Sequence, residues 1–486
     1  QEERFTRLKH DNSFPFNSII YVLSEANMKL SEIDYIVFYE KPFLKFERLL
    51  ETHIAFAPKG LVSFCASIPV WLKEKLFQKK LIIDNLKKID ENFSDYKKLK
   101  FSEHHLSHAA SAFFPSSFKD AIVITLDGVG EWATTTIGIG NQNKLEIMEE
   151  IHFPHSLGLL YSAFTYFLGF KVNSGEYKVM GLAPFGSPKY KDIIINKILD
   201  LKDDGSFRLR MKYFDYATGL KMTNNNFSKL FGKNVRKSDE PLEQFHADIA
   251  SSIQFVIEEI IVKIAKYTKQ KYKLKNLCLA GGVALNCVAN GKILEKKLFE
   301  NIWIQPAAGD AGGALGAALA FNYIELCRDR EIKQNQMKGS YLGPKYNDEE
   351  IEKELILNEA RYIKLSEEDL IIEVCKQLSN NKAIGWFQGR MEYGPRALGN
   401  RSIIADPRNN DMQKNLNLKV KFRESFRPFA PAVLQEKVQN YFNLECDSPY
   451  MLLVSKINEK IKKKFKNEIE FKKVTDKINQ IRSSIP

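Results

Sequence analysis

The chain has 486 residues, 44% of them hydrophobic and 12% aromatic, enough to bury the cores of a soluble protein of about two to four domains. Its formal charge of +12 comes mostly from two lysine-rich stretches, 71–100 and 456–477, which are interleaved with Asp and Glu and read as solvated helix faces, so no nucleic-acid partner is expected. No run approaches the roughly 18 apolar residues of a membrane span, since the nearest, 60–77, is broken by Lys73 and Lys75, and six scattered cysteines form neither zinc motif nor disulfide framework, so a reducing cytoplasm with no membrane partner is expected.

Gln1 stands where a Met would begin a chain, and Ile481-Arg482-Ser483-Ser484-Ile485-Pro486 has no stop pattern, so both ends read as cut. Residues 16–30 have an amphipathic helical period and 33–39 read as a buried strand closed by Glu40-Lys41-Pro42. Ser102 is placed to cap a helix that runs to Phe114 and stops at Pro115. Residues 120–126 form an apolar strand ending in Asp127-Gly128, with return strands at 134–140 and 145–151. A long helical period covers 243–270. Then come a strand at 276–280, the pair Gly281-Gly282, a helix from about Ala284, a strand at 301–305 and a small-residue helix from Gly312. This alternation implies an α/β domain with a mixed sheet. Lys338-Gly339-Ser340-Tyr341-Leu342-Gly343-Pro344 reads as a linker, with an acidic helix start at Asp348-Glu349-Glu350, so the expected units are 1–338 and 343–486.

Three of the eight histidines fall in Glu103-His104-His105-Leu106-Ser107-His108. On a helix His104 and His108 lie about 40° apart on one face, and His105 points elsewhere. Two imidazoles at that spacing can hold one divalent metal, or be a hydrogen-bonded pair with no metal. Asp127 is either a strand-end ligand in a crevice or a turn aspartate. Asp310, after Gly309, can cap a helix, bind metal, or do both. Two His and two Asp suit Fe(II), Zn or Mn. Strand, turn and helix start at Gly281-Gly282-Val283-Ala284-Leu285-Asn286 suit a phosphate or ribose, as backbone N–H groups and the helix dipole favour it. Residues 174–186, with Gly175, Glu176 and Lys178, read as a glycine-punctuated loop facing a ligand.

These motifs, with Gln1-Glu2-Glu3-Arg4-Phe5-Thr6-Arg7-Leu8-Lys9-His10, Glu392-Tyr393-Gly394-Pro395-Arg396-Ala397-Leu398-Gly399-Asn400-Arg401-Ser402 and Phe422-Arg423-Glu424-Ser425-Phe426-Arg427-Pro428-Phe429-Ala430-Pro431, resemble the NodU/CmcH family of O-carbamoyltransferases across essentially the whole chain. The resemblance implies a first domain similar to the actin-like and sugar-kinase ATPases (ASKHA), and a second similar to threonylcarbamoyl-AMP synthases (YrdC-like). It implies that ATP, with Mg, and carbamoyl phosphate give carbamoyl-AMP and pyrophosphate, and that the carbamoyl group passes to a hydroxyl of a sugar or natural product. It further implies metal ligands at His104, His108, Asp127 and Asp310, with Fe(II) as the metal. Nucleotide contacts fall at Gly175, Glu176, Lys178, Gly281, Gly282, Asn286 and Gly309.

Arg390, Arg396, Arg401, Lys421, Arg423 and Arg427 concentrate fixed cations in a segment also rich in Gly, Pro and Phe, and guanidinium forks match phosphate oxygens. Lys9 is expected to reach the carbamoyl-AMP, and His10 is a candidate base. Family members carry a strand and a His-Asp loop ahead of the first motif and a further segment past the position of Pro486. A homodimer is also expected. The competing readings are a sugar-kinase-like phosphotransferase, a threonylcarbamoyl-type tRNA-modifying enzyme and a nucleotide-binding regulator. The acceptor is not legible, though 202–226 is a candidate for shaping its pocket.

Overall fold

The computed structural model describes residues 1–72, 77–93 and 95–463. Lys73, Lys75 and the part of the second lysine-rich stretch at 464–477 lie outside the described residues.

In the N-terminal region, β1 (Ile36–Phe38) pairs in parallel with β2 (Leu99–Phe101). A five-stranded mixed sheet follows. Its members are β3 (Asp120–Leu126), β4 (Ala133–Asn141) and β5 (Lys144–His152); then, beyond the small hairpin of β6 (Leu199–Leu201) and β7 (Phe207–Leu209), β8 (Asn276–Ala280) and β9 (Asn301–Ile304). The order is β5-β4-β3-β8-β9, with the β3–β8 and β8–β9 pairs parallel and the β3–β4 and β4–β5 pairs antiparallel. β3 is buried on both faces from Ala121 to Leu126, as its unbroken apolar run requires of a central strand. β5 alternates buried and open positions, as an edge strand with one wet face does.

The two faces of β3 feed two cores. Ile122, Ile124 and Leu126 pack with the helix Leu157–Phe167 and the long helix Gln244–Tyr272, whose Ile249, Ile253, Val256, Ile260 and Ile264 recur at helical spacing. Ala121 and Val123 face the histidine helix, His104–Phe113, through Ala109, Ala110, Ala112 and Phe113. The small-residue helix, Asp310–Ala320, lies so close to the histidine helix that a Cβ on Gly316 would stand 1.7 Å from the Ser107 carbonyl oxygen. Only glycine allows the two backbones that separation.

Further along the chain, β10 (Ile384–Phe387) and β11 (Arg401–Ile404) form an antiparallel pair. The buried carboxylate of Glu392 accepts the backbone N–H groups of Leu398, Asn400 and Arg401 at 2.8, 2.9 and 3.2 Å, shaping the loop that carries Arg396. Phe426 and Leu452 then join the larger core, and the Val454 N–H donates to the Cys287 carbonyl at 3.2 Å.

The α/β expectation with a mixed sheet holds, and several local readings are corrected. The helix expected at 16–30 is Phe16–Ala26, ended by Asn27 in the left-handed region, with a separate 3-10 turn at Leu30–Glu32. Among its described residues the lysine-rich 71–100 begins at the end of the helix Leu61–Trp71, is helical again at Gln78–Leu86 and ends in β2, where pairing with β1 outweighs the local lysine composition. Lys456 to Lys463 is extended apart from a 3-10 turn at Glu459–Ile461. The expected loop at 174–186 contains a helix, Glu176–Leu182, and the small-residue helix starts at Asp310 rather than Gly312. After Gly281 a 3-10 turn, Gly282–Leu285, precedes the helix Cys287–Glu295.

Candidate active site

Three parallel strands deliver their C-terminal ends to one place: β3 ends at Asp127, β8 at Gly281-Gly282, and β9 leads to Gly309 and Asp310. The histidine helix enters beside them. Ser102 does not cap it; its hydroxyl only approaches the Glu103 carbonyl, while the buried carboxylate of Glu131 accepts the His104 N–H with both oxygens at 3.1 Å. The same carboxylate accepts the Lys41 N–H at 2.7 Å. Glu131 was not singled out in the sequence, although Asp127-Gly128-Val129-Gly130-Glu131 is a glycine turn with an acid at each end.

His104 Nε2 and His108 Nε2 lie 3.1 Å apart. Asp127 Oδ2 is 3.1 and 3.7 Å from them, and Asp310 Oδ1 is 3.7 and 3.5 Å away. Ligand bonds of about 2.1 Å put neighbouring donor atoms about 3.0 to 3.4 Å apart around one ion. The His104–His108 and His104–Asp127 pairs meet that spacing and the others are longer, all four donor atoms lying within 4.8 Å of one another, so the group could hold a divalent metal of mixed N/O preference. Asp310 is the open side, with its side chain 59% exposed, whereas the histidines are sealed. Asp127 works with both oxygens, since Oδ1 accepts the Gly282 N–H at 2.8 Å. Gly281 makes that turn with φ +87°, and a Cβ there would stand 2.2 Å from the Leu126 carbonyl oxygen. Tyr39 packs on the His104 ring at 5.6 Å, its hydroxyl pushed up by burial and by Asp310.

His105 does point elsewhere. Its Nδ1 shares a hydrogen bond of 2.6 Å with Thr125 Oγ1, and burial, then the charge of His104, pushes it down to about 3, so it stays neutral. For His108 burial acts to lower the value, but hydrogen bonds to Asp127 and Asp310 outweigh it and raise it from 6.5 to about 9. Asp127 is held well below the carboxylate range by both histidines in spite of its burial. The sign for His108 is that of a raised group: its contribution to stability is complete below 6.5 and is lost as pH rises through about 9. With chelator present, the melting temperature is expected to fall between about pH 7 and about pH 9.5, and His108→Gln to remove that part of the fall, as differential scanning calorimetry would show.

A second group of candidates gathers on Tyr177. Arg427 lies over its ring at 4.3 Å and Lys9 at 5.1 Å, with Lys9 Nζ 3.4 Å from the hydroxyl. Burial works to raise this phenol, and Arg427 and Lys9 outweigh it, so its value is lowered. Lys178 pairs with Glu424 at 2.6 Å. Lys421 is lowered by burial and by the neighbouring charges of Arg423 and Arg427, which marks a concentration of cations suited to a polyanion. Arg423 is braced by Asn417 Oδ1 at 2.7 Å and by the Phe429 ring. Arg396 reaches the glycine turn: its Nη2 donates to the Leu285 carbonyl at 3.0 Å, and its Nε is buried without a partner.

The sequence matches Carbamoyltransferase N-terminus over residues 1–319 and Carbamoyltransferase C-terminus over residues 375–482. The chain belongs to the carbamoyltransferase family. The enzyme class read from the motifs is that of its family. It is 56% identical to "Uncharacterized protein sll1178" of Synechocystis sp., over all of this chain and 80% of that one. It is 36% identical to "Nodulation protein NolNO" of Sinorhizobium fredii, over 94% of this chain and 64% of the relative, and 37% identical to "Nodulation protein NolO" of Bradyrhizobium diazoefficiens, over 73% and 63%. The chain thus spans a little under two thirds of these nodulation proteins. A solved structure, "Crystal structure of T.kodakarensis HypF", aligns with a TM-score of 0.28 and 16% identity over 51% of this chain and 40% of that one, a likeness too slight to bear on the fold.

In this carbamoyltransferase the other sequence candidates have local duties. Glu176 accepts from Ser162 Oγ and from the Asn173 and Gly175 N–H groups, so it holds the start of its own helix. Asn286 caps Cys287–Glu295 and exchanges amide hydrogen bonds with Gln254. Gly309 is the N-cap of the small-residue helix. Arg401 stacks on Phe387 and donates to backbone carbonyls, including that of Gly389 at 3.1 Å. Arg390 pairs with Glu25 at 2.8 Å. His10 is exposed, with φ +59° and its N–H held by Glu3, and is not among the metal-donor group.

Proposed function

We propose that the chain carries out ATP-dependent O-carbamoyl transfer in two stages: carbamoyl phosphate and ATP give carbamoyl-AMP with release of pyrophosphate, and the carbamoyl group then passes to a hydroxyl of a sugar or natural product. The observation that carries this reading is that the two halves of the chemistry share one turn. Gly282 binds Asp127 of the donor cluster, and three residues on Leu285 receives Arg396 from the C-terminal motif. An activated carbamoyl group made beside Arg396 would lie next to that turn, and a short passage would protect a water-sensitive mixed anhydride.

Residues 1–338 are read as the actin-like (ASKHA) unit and 343–486 as the YrdC-like unit; the mixed sheet with its ligand-facing parallel strands supports the first assignment. Arg396, Lys421, Arg423 and Arg427 would take the phosphates of ATP and carbamoyl phosphate, with Mg accompanying ATP, and Arg427 and Lys9 would flank Tyr177 at the nucleotide end. The Gly281 N–H donates to the Ala308 carbonyl and the Gly282 N–H to Asp127, so the turn would hold the donor's surroundings in place rather than bind it through these groups. His104, His108, Asp127 and Asp310 would hold Fe(II), which would supply Lewis-acid polarisation of the carbamoyl carbonyl. Asp310, on the open side, faces the entering acceptor.

The reading is tested by pyrophosphate release from ATP, with and without carbamoyl phosphate and without acceptor. Release is expected to require carbamoyl phosphate and to fall by about a hundredfold or more in Arg396→Ala. ADP in place of pyrophosphate would overturn it.

A further inference from the structure

The helix Leu61–Trp71 has the wrong side out for a helix in water. Its inner stripe includes the polar Ser63 and Ser67 and is half-buried, with Phe64 and Trp71 packed on the His53 ring at 5.2 and 5.5 Å. Its outer stripe is Leu61, Val62, Cys65, Ala66, Pro69 and Val70, all exposed and none charged, with Val62 at 83%. A surface helix normally shows the reverse arrangement. Further exposed apolar residues lie on neighbouring segments. At the start, Gly60 abuts Thr218 and the Ser63 hydroxyl hydrogen-bonds to the Thr218 carbonyl, anchoring the loop whose Leu220 is 89% exposed. Beyond the far end, Phe77 and Phe43, both more than half exposed, line a groove with Lys79 and Lys80.

The charge around this face is mostly positive, the acid at the groove being Glu103, which is paired with Lys41. Lys59, Lys79, Lys80 and Lys221 are exposed, none is ion-paired among the described residues, and residues 56–72 and 77–81 contain no Asp or Glu. We propose that this face docks on an anionic lipid surface, with the apolar stripe entering the headgroup boundary and the lysines meeting lipid phosphates. Charge decides the occupant. A two-fold contact with a second copy would set the same lysines against one another, and a neutral apolar partner would leave them without counter-charges. The docking is peripheral, because among the described residues no helix is long and apolar enough to cross a membrane.

The test is co-sedimentation of the chain with vesicles of phosphatidylcholine alone and of phosphatidylcholine with phosphatidylglycerol. Binding is expected to the second kind only. It should weaken by about tenfold or more in Lys79→Glu with Lys80→Glu and be lost in Val62→Asp with Val70→Asp. All four positions are exposed, and an unchanged melting temperature would show that the variants are folded. No sedimentation with either vesicle overturns the proposal, as does equal binding to both. So does a dimer, seen by light scattering without lipid, that Val62→Asp with Val70→Asp splits, since the face would then be a subunit contact.

Discussion

Asp127→Asn is expected to empty the donor cluster while leaving pyrophosphate release in place. The native carboxylate is committed on both sides, with Oδ2 toward His104 and His108 and Oδ1 toward the Gly282 N–H. An amide has one oxygen and one NH₂ group, so it can serve the turn or the cluster, and the other side meets a donor where it needs an acceptor. The loss of a charged ligand and a misdirected neighbour act together, and metal affinity should drop by more than the 10–100-fold typical of an outer-sphere change. Metal content measured by plasma mass spectrometry should fall from about one ion per chain to a trace. Full metal occupancy in the variant would remove Asp127 from the ligand set. Loss of pyrophosphate release as well would mean that the cluster takes part in adenylate formation.

Gly316→Val is expected to have the largest effect on folding. The position faces the Ser107 carbonyl oxygen across two helices in backbone contact, with the carbonyl carbon 2.7 Å and Ser111 Cβ 2.9 Å from where a Cβ would lie. Neither helix can yield, because the histidine helix is packed on β3 and the small-residue helix leads directly from Asp310. Separating them costs several kcal/mol, on the order of 3 to 5, out of a total stability of about 5 to 15. The exposed Ala318→Val, on the same helix, should cost under about 1 kcal/mol. Circular dichroism melts of the two variants would separate a packing effect from helix propensity. Equal melting temperatures would show that the helix contact is not tight.

The sequence revealed the features that depend on local pattern. Strands β3, β4, β5, β8 and β9 were marked by β-rich runs and turn residues, and the paired histidines by their four-residue spacing on an amphipathic helix. Asp127 and Asp310 were legible because each follows an apolar strand. What escaped depends on partners remote in the chain. β2 is a strand only because β1 lies beside it, and nothing in Leu99-Lys100-Phe101 announces that. Glu131 caps a helix that begins 27 residues earlier, a relation no local capping signal contains. Tyr177 was passed over between the charged Glu176 and Lys178, yet it is the ring on which Lys9 and Arg427 meet. The arginine-rich segment showed the opposite limit: Arg390 and Arg401 matched the motif as well as Arg396 did, but they brace the structure, and only packing tells the two duties apart.

The four donor atoms of the cluster come from positions 104, 108, 127 and 310, so an ion held there staples together three stretches that are far apart in the unfolded chain. Such an ion has no comparable site to bind once the chain opens. At a hundredfold excess over its dissociation constant it would add about 2.7 kcal/mol to the folded state. For a protein of ordinary stability that is the difference between a chain that survives quality control and one that is degraded. Metal supply in the cell would then govern how much of this protein accumulates, before it governs how fast any molecule turns over.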